Sequence, residues 1–360
     1  MRRLVILLVA LSALCAAQNR KTRNLVLVTA DGLRRQEVFT GIDPLLMNGK
    51  ETHMQDAAPL REKLWAGTPA ARREKLMPFL WKELAKRGVI LGNVEKGSAV
   101  EVTNAFRVSY PGYSEILTCR AQDEAIRGND PIRNPRQTVL EFVRQKWQLG
   151  QPQVALFASW STFRFIGESR EGSIFINAGY ERAAATPRLD DLSRMQFEAL
   201  SPWDDSRHDY ITAEMALDYL RAYKPRLLYV AFDETDDWAH DRRYDRVLEM
   251  AQYFDHTLQK LWETLQSMDE YRDRTTLLVT SDHGRGSQLS DWSDHGPKVP
   301  GDQYIWIAAR GPDTPAQGEA AHAATVYQRD ISATILELLG LDCREFCGGQ
   351  GKPIERIAPR

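Results

Sequence analysis

The segment Thr276-Leu-Leu-Val-Thr-Ser281-Asp282-His283-Gly284 restricts the fold more than any other stretch of this 360-residue chain. Its short aliphatic and β-branched residues read as a strand buried on both faces. The run stops on a carboxylate, an imidazole and a glycine. In an open α/β sheet, ligands collect beyond the carboxyl ends of the strands. Asp282 and His283 therefore fall where a hard oxygen ligand and a borderline nitrogen ligand can act together, and Gly284 permits the sharp turn that follows. A strand entering a polar turn explains the stretch equally well when it is taken alone, so the remainder of the chain has to decide.

Other segments repeat the pattern. Asn24–Ala30 reads as a strand that ends on Asp31-Gly32. Leu227–Phe232 reads as another, followed by Asp233-Glu-Thr-Asp236-Asp237-Trp-Ala-His240. Further strands are expected at 89–92, 154–159, 173–177 and 304–308. Between them lie amphipathic stretches at 68–86, 135–148, 210–223, 243–268 and 329–339, the first opened by Thr68-Pro69 in the order of a cap followed by the first helical residue. Strands alternating with helices predict an α/β fold: a doubly wound, mostly parallel sheet with helices on both faces. Residues 42–67 and 160–205 are weakly patterned and read as insertions in a single domain spanning 18–360.

Composition sets limits on partners. The chain is 43% hydrophobic and 27% charged with a formal net charge of −2, and it has no long run of Lys and Arg. This gives no reason to expect a nucleic-acid surface or a basic membrane-binding face. Residues 1–17 have the features of a signal peptide: Arg2 and Arg3, an apolar run too short to span a bilayer comfortably, and Cys15-Ala16-Ala17 at the cleavage end. The expected product is an exported protein, periplasmic or secreted, with no stable membrane span. Cys343 and Cys347 are close enough in sequence to suggest a disulfide in an oxidising compartment, which leaves Cys119 as a buried small residue.

Strand ends and loops thus bring forward Asp31, Asp236, His240, Asp282, His283 and His295. Asp236 and His240 are four apart, so on a helical turn they share a face. Three carboxylates and three imidazoles suit two divalent ions, Zn²⁺ or alternatively Mn²⁺, and two-metal sites clamp the attacking and leaving oxygens of phosphoryl displacement. Ser109, in Ser109-Tyr-Pro111-Gly-Tyr113, is the candidate nucleophile. It precedes a proline suited to the first turn of a helix, whose N-terminus would attract a phosphate.

In their order, Asp31, Ser109, Asp236-x-x-x-His240, Asp282-His283-Gly284 and His295-Gly296 resemble the alkaline phosphatase superfamily. The segments around Ser109 and Glu234 to His240 are most similar to its nucleotide pyrophosphatase/phosphodiesterase branch. The resemblance implies that Asp236, His240 and His295 hold one metal, and that Asp31, Ser109, Asp282 and His283 hold the other. It also implies a hydrolase of phosphate mono- or diesters that works through a phosphoseryl intermediate on a small-molecule substrate. The chain departs from the pattern in three places. No Asn follows the nucleophile within its helix, and Asn129 is the substitute. Tyr113 stands where a formylglycine sulfatase has arginine, which disfavours that chemistry. No phosphate-binding arginine is evident, and Arg285 is the candidate. A phosphotransferase or mutase, or a sulfatase-like hydrolase, on the same metals is the alternative enzyme, and an exported binding protein with a degenerate site is the alternative from another class.

Overall fold

A computed structural model describes residues 20–48, 51–55 and 57–359. The expected signal peptide lies outside the described residues. The main sheet comprises β1 (Asn24–Ala30), β2 (Val89–Leu91), β4 (Val154–Ala158), β5 (Phe175–Ala178), β6 (Leu227–Phe232), β7 (Thr275–Thr280), β8 (Ile307–Arg310) and β9 (Gly318–Glu319). Two short strands, β3 (Val100–Glu101) and β10 (Val326–Tyr327), pair separately. The order across the main sheet is β5-β4-β6-β1-β7-β8-β2-β9, and β8 alone runs against the rest.

Alternation along the central strands builds two cores. Val26, Val28 and Ala30 of β1 face one core with Leu277 and Val279 of β7, while Leu25, Leu27 and Leu278 face the other. Helices Asp209–Tyr223 and Tyr244–Ser267 cover the first face; Ser109–Thr118, Val139–Lys146 and Asp330–Leu338 cover the second. This is the doubly wound arrangement the sequence pattern predicts. Both faces of each central strand are buried, so those strands read as continuous apolar runs.

Three local expectations change. The helix expected over 68–86 is broken at Met77, whose φ of −132° and ψ of 70° are non-helical. Pro78 follows and disfavours helical geometry at the preceding residue, while the Asp255 carboxylate accepts the N–H groups of Phe79 and Leu80 at the restart. The stretch 160–205 holds, besides the expected edge strand β5, a helix over Pro187–Glu198. The cysteine assignment is corrected: Cys119 pairs with Cys347, Cα to Cα 5.3 Å, across 228 residues. Cys343 and Cys347 occupy one helix, and side chains four apart on a helix hold their Cβ atoms about 5–6 Å apart, beyond the roughly 3.5–4.5 Å a disulfide needs.

Candidate metal centre

Three adjacent strands at the middle of the sheet supply the centre. Asp31 follows β1, Asp282 and His283 follow β7, and β6 leads through Asp233 into the helix Glu234–His240. That helix brings the His240 Nε2 to 3.0 Å from Asp236 Oδ2. A long loop after β7 returns His295, whose Nε2 lies 3.2 Å from His240 Nε2 and 4.0 Å from Asp236 Oδ1. His283 Nε2 lies 3.4 Å from Asp31 Oδ1, 3.4 Å from Asp282 Oδ2 and 3.7 Å from Asp236 Oδ1. Two groups result, Asp236–His240–His295 and Asp31–Asp236–His283, each with ligand atoms within 4.8 Å of one another. Gly32, at φ 55°, lets this convergence occur, because a Cβ there would stand 2.4 Å from Asp236 Oδ1.

The hydrogen bonds behind the rings fix their tautomers. His283 Nδ1 donates to the Gly284 carbonyl at 2.9 Å, and His295 Nδ1 to the Arg107 carbonyl at 3.0 Å. Each donation leaves Nε2 as a lone pair directed into the cluster, the form that binds metals. A lone pair facing carboxylate oxygens is unfavourable without a cation between them. Asp31 Oδ1 and Asp282 Oδ2 are buried there without a hydrogen-bond partner, which is costly for a charged group. In the protein alone, protons relieve this strain. Burial opposes charge on His283, but Asp282 and Asp31 raise its pKa to about 9. Burial and then Asp31 raise that of Asp282 to about 8, with His283 acting the other way. Burial and the neighbouring His283 hold His240 and His295 below the ordinary imidazole value, so both are neutral. The neutral His295 with its bare Nε2, the neutral His240 beside it, and the unpartnered oxygens of Asp31 and Asp282 fit divalent cations.

Ser109 is the first residue of helix Ser109–Thr118. Its Oγ lies 3.4 Å from His283 Nε2. The helix sits close against β7: a Cβ on Gly112 would fall 2.5 Å from the Asp282 carbonyl oxygen. Ser109, Asn129, Asp236 and His240 open on one cavity of about 610 Å³, which Trp160, Phe165 and Asp205 also line. Asn129 Oδ1 accepts the Tyr110 N–H at 2.9 Å, placing the amide beside Ser109. Arg285 is brought to the cluster from behind. It is buried, bonded to Asp236 Oδ1, to the Asp236 carbonyl (3.1 Å) and to the Ser293 carbonyl, and is not among the residues lining the cavity. Two cavity residues escaped the sequence reading. Asp233 and Asp237 line the same wall, and burial and nearby carboxylates raise both pKa values, that of Asp237 to about 8. The available signal was position, since Asp233 ends β6 as Asp31 ends β1.

A doubly wound sheet bearing an Asp/His array and a helix-borne serine defines an alkaline phosphatase-like fold. The profile of the type I phosphodiesterase / nucleotide pyrophosphatase family matches residues 42–305. The chain belongs to that family, a class of enzymes acting on phosphoesters. No curated protein matches it. Similar solved structures include the lipoteichoic acid synthase LtaP from Listeria monocytogenes, 12% identical with a TM-score of 0.61 over 95% of this chain and 77% of that one. The phosphonate monoester hydrolase from Silicibacter pomeroyi is 12% identical, with a TM-score of 0.55 over 94% and 77%. An inactive variant of murine ectonucleotide pyrophosphatase/phosphodiesterase 5, in complex with AMP, is 13% identical, with a TM-score of 0.51 over 89% and 95%.

Proposed function

We propose that this chain is an exported, metal-dependent phosphodiester hydrolase in which Ser109 is the nucleophile. The observation that carries the reading is the placement of Ser109 Oγ at a helix start, 3.4 Å from His283 Nε2 and on the same cavity as Asp236 and His240. Asp31, Asp282 and His283, with Ser109, would hold one ion, and Asp236, His240 and His295 the other; Zn²⁺ suits this donor set, with Mn²⁺ as the substitute. When bound, such ions supply Lewis acidity and counter-charge to the oxygens that gain charge during phosphoryl transfer.

The chain's own groups account for the remaining steps. The N-terminal end of the Ser109 helix favours an anionic phosphoryl group beside Oγ. With Oδ1 engaged by Tyr110, Asn129 keeps its Nδ2 donor for a phosphoryl oxygen. Ser109 Oγ loses its proton to water through the open cavity and forms the bond to phosphorus as the bond to the leaving alcohol breaks. Water then hydrolyses the phosphoseryl ester.

The cavity favours diesters over monoesters. Its volume of about 610 Å³ leaves room for substituents on both sides of the phosphorus. Tyr113 donates to Asp31 Oδ2 at 2.9 Å from the position where a formylglycine sulfatase has arginine, which argues against that route. Support for export comes from the Cys119–Cys347 disulfide; among the described residues no helix is long and apolar enough to cross a membrane.

The test is acid quench during turnover of a ³²P-labelled aryl phosphodiester on protein loaded with zinc, followed by peptide mapping. Label is expected on Ser109. Label on Ser114 or Thr118, or higher turnover of the matching monoester, would contradict the reading.

A further inference from the structure

Arg107 lies two residues before the nucleophile and adopts φ 47°, the left-handed region. That conformation is unfavourable for a non-glycine residue, so the surroundings must impose it. Asn104 Oδ1 accepts the Arg107 N–H at 2.7 Å. Asn104 is itself fixed by Glu115, a wholly buried carboxylate on the nucleophile's helix that accepts the Asn104 N–H at 2.8 Å and its Nδ2 at 3.1 Å.

The turn has two consequences. The Arg107 carbonyl meets His295 Nδ1 at 3.0 Å, and the Arg107 side chain reaches the next loop residue, with Nη2 3.4 Å from the Gly296 carbonyl oxygen. Arg107 Nε also lies 2.6 Å from Oδ1 of Asp302. Neither atom has an aligned hydrogen-bond partner, so this is a contact between charges. Asp302 is fully buried and works in both directions: its Oδ2 accepts the Gly296 N–H at 2.6 Å, and its backbone carbonyl accepts the Gly284 N–H at 2.8 Å. Gly296 and Gly284 are the residues immediately after His295 and His283. One ion pair therefore touches the loops that carry an imidazole from each ligand group, and its arginine adjoins the segment that carries Ser109.

We propose that Arg107 and Asp302 are positioning residues that hold the His295 loop so that Nε2 faces Asp236 and His240, and thereby set the metal affinity of that half of the centre. The inference rests on the two-metal reading above. Partners that orient a ligating histidine characteristically alter metal affinity 10- to 100-fold when removed. Removing either charge breaks the contact that holds Arg107 against the Gly296 loop, and His295 then samples orientations in which its lone pair misses the other two ligands.

Two variants separate the parts of the clamp. Arg107→Gly keeps the backbone carbonyl for His295, and glycine tolerates the left-handed turn, so only the guanidinium is lost. Asp302→Asn keeps an amide oxygen for the Gly296 N–H and removes the charge. Where either fails to fold, Arg107→Lys keeps the charge and loses the reach to the Gly296 carbonyl. Zinc is titrated against a chelator in wild type and variants, and melting is recorded with and without zinc.

The expected result is one ion held with wild-type affinity and the other weakened 10- to 100-fold. The rise in melting temperature on adding zinc should shrink correspondingly, over and above any drop in the metal-free melt. Wild-type affinity for both ions, with the same loss of melting temperature in the presence and absence of zinc, would show that the pair only supports the fold and would overturn this inference alone. A wild-type chain that takes up no zinc overturns the two-metal reading and this inference with it.

Discussion

The two halves of the centre are built differently. Asp31, Asp282 and His283 hang from the ends of adjacent central strands, with side chains at most 1% exposed. The other half stands on a seven-residue helix and a returning loop, and the His240 side chain is 49% exposed. In the enclosed half, water does not reach the carboxylates and imidazole, so the charge left by removing one group is paid for by the fold. At the exposed His240, water replaces a lost ligand at small cost to stability. The enclosed half is therefore structural as well as chemical, and His240 is chemical only.

The largest effect should come from Ser109, the proposed nucleophile. Ser109→Ala should lower kcat by about 10⁴-fold or more while retaining both metals, measured by turnover and metal analysis. Unequal losses would then expose the asymmetry. His283→Ala should abolish activity and destabilise the protein by about 3–5 kcal/mol, the range for breaking a buried ion pair. His240→Ala should lower activity by about 10²- to 10³-fold, the scale for losing one stabiliser of transition-state charge, with metal-free stability unchanged in denaturant titration. Equal destabilisation by the two substitutions would erase the distinction. Asn129→Ala should cost about 10- to 100-fold in kcat on diesters, with both metals kept.

The smallest effect concerns pH and the metal-free protein. The folded His283 has a pKa of about 9 against an ordinary 6.5, so its stabilising contribution is complete below 6.5 and lost as pH rises through about 9. Asp282 has a pKa of about 8 against 3.8, so its penalty grows as pH rises from 3.8 to about 8. Both terms have the same sign. Metal-free protein should melt at progressively lower temperature as pH rises from about 4 to 9, and zinc should flatten the profile. A metal-free profile that rises over this range would contradict the charge arrangement of the enclosed half.

This asymmetry also explains what the sequence discloses. β1 and β6 have the expected bounds because unbroken apolar runs stop abruptly on Asp31 and Asp233. Asp31, Asp282 and His283 are legible for the same reason, since a polar residue ending a buried strand has few alternative uses. The pairing of Cys119 was not legible, because nearness in sequence favoured Cys343 and only the tertiary path brings residue 119 to 347. Helix Pro187–Glu198 was missed because it buries only Leu189 and Leu192 among its apolar residues. The contact of Arg107 with Asp302 joins residues 195 positions apart, beyond any local pattern. The inward burial of Arg285 likewise depends on Ser293 and Asp236, which no spacing rule connects.

The disulfide has a consequence for how the molecule is made. Cys119 caps the helix that begins with Ser109, and its partner is 228 residues further along. A chain emerging amino-terminus first presents Ser109 early, but the covalent lock on that helix closes only after residue 347 has arrived. Every candidate ligand from Asp31 to His295 is synthesised before that point. A product cut short ahead of Cys347 carries the complete set of reactive groups on an unfastened helix, so oxidation of this one bond distinguishes a finished copy from an abortive one.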